Sequence, residues 1–162
     1  MGNNPVLVVV AVVILIVAGI LIFTNLSRSP DVPHNARNYW DEGDSKLYPY
    51  DGNEFPPVKA PSGGEGVRAY VFSCSDCNDK GTRFLGYVQK FTPEGRADLL
   101  KAFEENNLTD RIAAFEQSLI RHPDETDWYE KGSPEGLEIQ DTVTQRCDDE
   151  GGRKKECQFY LE

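Results

Sequence analysis

Apolar residues are unevenly spread along the chain. Val6 to Phe23 is an uninterrupted apolar run of 18 residues, and Thr24, Asn25 and Leu26 extend it without charge. At about 1.5 Å per residue, a helix of this run reaches roughly 27–30 Å, enough to cross a bilayer's hydrocarbon core. Its valines and isoleucines would favour strand in water, but in lipid only a helix satisfies its own backbone hydrogen bonds. The pattern predicts a transmembrane anchor over residues 5–26. A spacer follows over 27–37, where Ser29-Pro30-Asp31-Val32-Pro33 would hold the remainder off the membrane.

Beyond the spacer the apolar residues fall into short alternations and helical stripes. Tyr39-Trp40 and Lys46-Leu47-Tyr48 flank the polar loop Asp41–Ser45, which predicts a β-hairpin over 38–51. A Pro- and Gly-rich linker occupies 52–66. Val67–Ser73 and Arg83–Phe91 read as strands, although Phe84, Tyr87, Val88 and Phe91 also fit a helical face. Thr92-Pro93-Glu94 and Ser133-Pro134-Glu135 have the form of helix starts, each with a hydroxyl N-cap, proline in the first turn and an acid at the positive end of the dipole. The first of these helices should bury Ala97, Leu100 and Phe103. Between the two, Thr109 or Asp110 opens another helix with Ile112, Phe115, Leu119 and Ile120 inward, ended by Pro123. Lys155–Leu161 alternates like a final strand. The expected fold is α+β: an N-terminal transmembrane helix, then a small mixed domain with β-hairpins and about three helices, its four-cysteine α+β part spanning 67–162.

Charge narrows the possible partners. From Asp31 onward 16 basic and 27 acidic side chains leave a formal charge of −11. Such a surface repels phosphate backbones and anionic headgroups, so nucleic acid is excluded as a partner and only the anchor would contact a membrane. A cleaved signal peptide fits poorly: Met1–Pro5 has no base, the apolar run is too long, and Asn25–Ser29 has no Ala-x-Ala. Val6 stands where a myristoylation signal needs Ser or Thr. Arg28 and Arg37 lie just C-terminal to the run, which leans the domain toward the cytoplasmic side of a single-pass arrangement. With 39% hydrophobic residues, partly used in the anchor, the core is modest and a metal or disulfides would be needed to hold it.

Four cysteines supply that need. Cys74 and Cys77 form a C-x2-C between two expected strands, the setting of a zinc knuckle, and Cys147 and Cys157 could complete a closed, structural Zn2+ site. Two disulfides, most simply with Cys147 joined to Cys157, are the rival reading and would imply an oxidising compartment. A thioredoxin-like redox pair at Cys74 and Cys77 is the third, disfavoured by Asp76 between them and by the turn sequence Asn78-Asp79-Lys80-Gly81 where a helix should begin.

The segment Val71–Phe91, with its strand, knuckle and strand, resembles half of a zinc ribbon. The whole layout is similar to uncharacterised single-pass anchored proteins of planctomycete bacteria: an Asn-Pro start to the anchor, an aromatic hairpin, Ala60-Pro61-Ser62-Gly63, then Val67-Arg68-Ala69-Tyr70-Val71-Phe72 before the C-x2-C. The resemblance implies a membrane anchor and no particular activity.

Other motifs carry little. Asp76, Asn78 and Gly81 mimic a calcium loop, but Lys80 and Tyr87 occupy ligand positions. The acidic clusters Asp124–Asp127 and Asp148–Glu150 read as solvated loops. His34 lies in the spacer, and His122 is expected at a helix end. Gly63-Gly64-Glu65-Gly66 lacks the lysine of a phosphate loop. Trp40 and Trp128 are either packing residues or anchors for a partner protein. The sequence therefore points to a membrane-tethered, non-enzymatic interaction module with a four-cysteine zinc site. The alternatives are an anchored thiol–disulfide oxidoreductase using Cys74 and Cys77, or a disulfide-stabilised extracytoplasmic binding domain.

Overall fold

The computed structural model describes residues 14, 15, 17–19, 33 and 35–158, and the chain divides into two compact units, Met1–Asp31 and Val32–Glu162. In the first unit Ile14, Leu15 and Val17–Gly19 are helical, and the rest of the expected anchor over 5–26 lies outside the described residues. Among the described residues no helix is long and apolar enough to cross a membrane. His34 and most of the expected spacer are likewise outside them.

The second unit is α+β, with one antiparallel sheet. Its strands are β1 (Ala36–Asp41), β2 (Lys46–Asp51), β3 (Val58–Lys59), β4 (Glu65–Ser73), β5 (Arg83–Lys90), β6 (Leu119–Arg121), β7 (Tyr129–Glu130) and β8 (Lys155–Glu156). The order is β2-β1-β4-β5-β6-β7, with β3 and β8 also paired to β4. β4 is thus the hub. One of its edges takes β1 at Gly66–Arg68 and β8 at Phe72–Ser73, and the other takes β3 and then β5. The expected aromatic hairpin forms, with Tyr39 opposite Tyr48, and extends this same sheet. β5 is a strand, and a bulge leaves Gly86 unpaired between Tyr87 and Leu85. A side chain at Gly86 would lie 2.6 Å from the Phe72 ring and 2.8 Å from Val143 Cγ2, so glycine is what allows the last helix to seat on the sheet.

Three helices accompany the sheet among the described residues: α1 (Pro93–Glu104) and α2 (Leu108–Glu116), which pack on each other, and α3 (Pro134–Asp149), which packs against β5, β6 and β7. The two proline starts behave as expected. Thr92 Oγ1 accepts from Gly95 N at 3.0 Å and Ser133 Oγ from Gly136 N at 3.1 Å. The expected stripe of α1 is rotated, however. Gly95, Leu99 and Ala102 are buried, while Ala97, Leu100 and Phe103 are exposed. α2 starts one residue before Thr109, because the Asn107 side chain accepts from both Thr109 N and Asp110 N. It also ends before Leu119. Leu119–Arg121 pair with Val88–Lys90, so the apparent helical spacing of Ile112, Phe115, Leu119 and Ile120 spans a helix, a break at Ser118 and a strand. His122 consequently follows a strand rather than closing a helix.

The apolar core has two parts. Phe91, Leu99 and Ala114 cluster with Phe55 and Phe115 under the α1–α2 hairpin. The buried stripe Gly136, Ile139, Val143 and Cys147 of α3 recurs at helical spacing and forms the second part. Arg121, 6% exposed, organises the loop after β6. Its guanidinium donates to the carbonyls of His122, Pro123 and Glu125, pairs with Glu42 and stacks on Trp128. Lys90 also stacks on this indole, 4.5 Å from its centroid, so two cations contact the Trp128 ring.

Candidate functional site

The chain leaves β4 at Ser73 and turns through Cys74–Cys77 into the short 3-10 turn Lys80–Thr82 before β5. This knuckle is held by hydroxyls and carboxylates. Thr82 Oγ1 reaches the carbonyls of Asp76 and Asp79 and lies 2.8 Å from Ser73 Oγ, while Asp76 Oδ1 accepts from Asn78 N. On the other side, α3 ends where Gly151 adopts φ +68°, a left-handed conformation that glycine takes without strain. Gly152 N then bonds to Cys147 O at 2.8 Å and Gly151 N to Asp148 O at 3.0 Å, a Schellman ending that reverses the chain. The reversed tail meets β4. Arg153 N donates to Cys74 O, β8 pairs with Phe72–Ser73, and Cys157 N donates to Val71 O.

That path places the four cysteines. Cys74 is bonded to Cys147, with 4.9 Å between Cα atoms, and Cys77 to Cys157, with 5.3 Å. The expected zinc site of Cys74, Cys77, Cys147 and Cys157 is therefore overturned. Sulfurs committed to disulfides cannot serve as thiolate ligands, and among the described residues no group of three or more His, Cys, Asp or Glu side chains could hold a metal. The simple Cys147–Cys157 bridge does not form either, because the Schellman turn carries the two cysteines toward successive positions of the knuckle. The pairing also separates Cys74 from Cys77. A redox C-x2-C closes on itself when oxidised; here each member is tied to a different partner, and Cys74, Cys147 and Cys157 are buried. Disulfides persist in oxidising compartments, so the cysteine chemistry points to an extracytoplasmic environment and against the cytoplasmic side that Arg28 and Arg37 suggested.

A second cluster lies nearer the start of β4. Strand alternation puts Arg37 and Tyr39 of β1, Arg68 and Tyr70 of β4, and Gln89 of β5 on one face, in the registers Tyr39 opposite Arg68 and Arg68 opposite Gln89. The loop carrying Glu54 and Phe55, together with Phe91 and Phe115, closes over that face. A crevice of about 210 Å³ is left, and both arginines line it. The Arg68 guanidinium sits 5.8 Å from the ring centroids of both Tyr39 and Tyr70. Tyr39 OH donates to Glu54 O and Tyr70 OH to Gln89 Oε1, whose amide in turn donates to Ser118 Oγ. Burial pushes the Tyr39 hydroxyl up to about 12 against the opposing pull of Arg68, and burial likewise raises Tyr70. Both phenols stay protonated at neutral pH, leaving the arginines as the charged groups of the sheet wall.

The arginines were not singled out by the sequence reading as a pair, although a signal was present. Arg37-Asn38-Tyr39 and Arg68-Ala69-Tyr70 repeat an Arg-x-Tyr spacing, which on a strand places both side chains on one face. What the sequence could not supply was the register that brings the two strands side by side. Comparisons with protein-family models, with curated proteins and with solved structures returned no match.

Proposed function

We propose that the chain is a disulfide-stabilised extracytoplasmic binding module, held at a membrane by the apolar segment 5–26, that uses the crevice around Arg68 as its recognition site. The observation that carries this reading is the crossed pairing of the cysteines. It removes the C-x2-C from metal and thiol chemistry and gives it a bracing role, as the disulfide-stabilised reading requires. Supporting it, the crevice joins two charged side chains to an aromatic wall, the small number of placed polar groups in an apolar setting that ligand sites use.

The test is the oxidation state of the chain in cells. Cells are quenched with acid, and free thiols are alkylated in denaturant before and after reduction. The expected result is no alkylated cysteine before reduction and four after it, with a membrane-impermeant reagent reaching the reduced domain in intact cells. Four free thiols in the untreated chain would sink the extracytoplasmic reading.

A further inference from the structure

In a chain of formal charge −10, cations are expected to find carboxylates, and several do. Lys46, Lys90, Lys101, Arg121, Lys131 and Arg146 each lie within 4 Å of an acidic side chain. Arg37 and Arg68 are among the cations that do not, and the two share a crevice. Among the described residues neither has a carboxylate within that distance, and Arg37 reaches only neutral acceptors, the Ala36 carbonyl at 3.4 Å and the Gln158 amide at 3.5 Å. These two guanidinium groups line the same crevice, where Arg68 is half-buried between two tyrosine rings. A guanidinium has five N–H donors in a planar fork that fits a carboxylate, and partial burial strengthens such a pair relative to one in open solvent.

The opposite wall is apolar. Phe55 and Phe91 meet edge to face at 6.2 Å, and Phe115 contacts both, 6.2 Å from Phe55 and 5.6 Å from Phe91. The volume suits a ring or short chain bearing one acidic group. Glu54 also lines the crevice, and its carboxylate repels a second negative charge, which disfavours phosphate or sulfate dianions.

From this arrangement we infer that the crevice binds a compact organic monocarboxylate, with its carboxylate on Arg68 and Arg37 and its apolar body on Phe55, Phe91 and Phe115. The inference rests on the binding-module reading and names the ligand class of that site. The same chemistry is offered by a free aromatic or aliphatic acid and by the C-terminal residue of a peptide.

The experiment is an NMR chemical-shift titration of the full chain in non-ionic detergent with phenylacetate, phenylacetamide and acetyl-Gly-Gly-Phe with a free C-terminus. Saturable shifts with phenylacetate, absent with the isosteric amide, are expected. Arg68→Gln should weaken phenylacetate about 10-fold or more, the worth of one charge-assisted hydrogen-bond pair. Arg37→Gln should weaken it less, and it provides the test if Arg68→Gln fails to fold. Saturation by the peptide as well as phenylacetate would support a chain terminus as the source; saturation by phenylacetate alone would support a free acid. If the amide binds as well as the acid, or if both arginine variants bind like the wild type, the carboxylate assignment is overturned while the crevice stands as a binding site. If none of the three probes binds, the assignment fails together with the crevice's role in recognition, and only the disulfide-braced fold remains.

Discussion

The two disulfides should stabilise the domain sub-additively, each adding less once the other is in place, and loop-closure entropy says by how much. Each bridge alone closes a long loop, with sequence separations of 73 and 80. Loops of that length correspond to about 4.5 kcal/mol of chain entropy removed from the unfolded state. Once Cys74–Cys147 is in place, however, joining Cys77 to Cys157 closes a loop of only about 13 residues, worth about 3 kcal/mol. The same holds in the other order. Removing either bridge should therefore cost about 3 kcal/mol, and removing both about 7.5 kcal/mol, roughly 1.5 kcal/mol more than the two separate losses combined.

The variants are Cys74→Ala with Cys147→Ala, Cys77→Ala with Cys157→Ala, and all four together. Alanine avoids leaving a reactive thiol or a buried, unpaired hydroxyl. Because Cys74 and Cys147 are both buried, their pair should lose about a further 1 kcal/mol through missing packing. Urea unfolding of the full chain in non-ionic detergent, followed by tryptophan fluorescence, gives the free energies. If the fourfold variant is no less stable than either pair variant, or if the first bridge removed already costs the full long-loop value, the shared-loop account is wrong.

Other consequences follow from particular contacts. Chelators should leave the thermal midpoint unchanged while reductant lowers it, and a midpoint that falls with EDTA alone would contradict the assignment of all four sulfurs to disulfides. Gly86→Ala forces a methyl to within 2.6 Å of Phe72 and 2.8 Å of Val143, and should destabilise by about 1–3 kcal/mol in the same urea assay; a neutral result would mean that α3 seats less closely than described. Asp41 is desolvated, which opposes its ionisation. Hydrogen bonds from Ser62 Oγ and N and from Gly43 N prevail and hold its carboxyl below the ordinary 3.8. A depressed carboxylate stabilises the fold above its unfolded value, and that stability is lost as the pH falls through the folded one. Asp41→Asn should thus be less stable than wild type at pH 7, by a margin that shrinks as the pH drops below 3.8; a pH-independent gap would remove the carboxylate from the account.

What could be read from the sequence were features fixed by neighbours in the chain. The Thr92-Pro93-Glu94 and Ser133-Pro134-Glu135 starts, the aromatic hairpin and both long strands needed only local propensities and caps. The errors arose where tertiary pairing decided. Leu119 and Ile120 carried a helical spacing, yet β5 offered Leu119–Arg121 a strand edge and the helix stopped short. Leu100 and Phe103 lost their expected place in α1 to Leu99 and Ala102, which face Phe91 and the α2 hairpin instead. The cysteines were the hardest case. Their spacing is compatible with a closed metal site or with several disulfide connectivities, and the choice depends on where the Gly151–Gly152 turn sends the tail.

The same topology assigns separate tasks to the two ends of β4. Arg68 and Tyr70 stand at its crevice end, and Cys74 follows its last residue, six positions and about 20 Å along the strand from Arg68. All the covalent bracing is at the far end, where α3 and the tail would otherwise fray from a sheet whose edge strand β8 has only two residues. The crevice end has no covalent tie and is held by the Tyr70–Gln89–Ser118 hydrogen-bond chain and the phenylalanine cluster. A domain with so modest a core could not be kept rigid throughout by apolar packing alone. Fixing one end of the hub strand covalently leaves the crevice lined by Arg37 of β1 and Arg68 of β4 free of sulfur. This arrangement accounts for a knuckle that looks like a metal site and serves as an anchor point for the sheet.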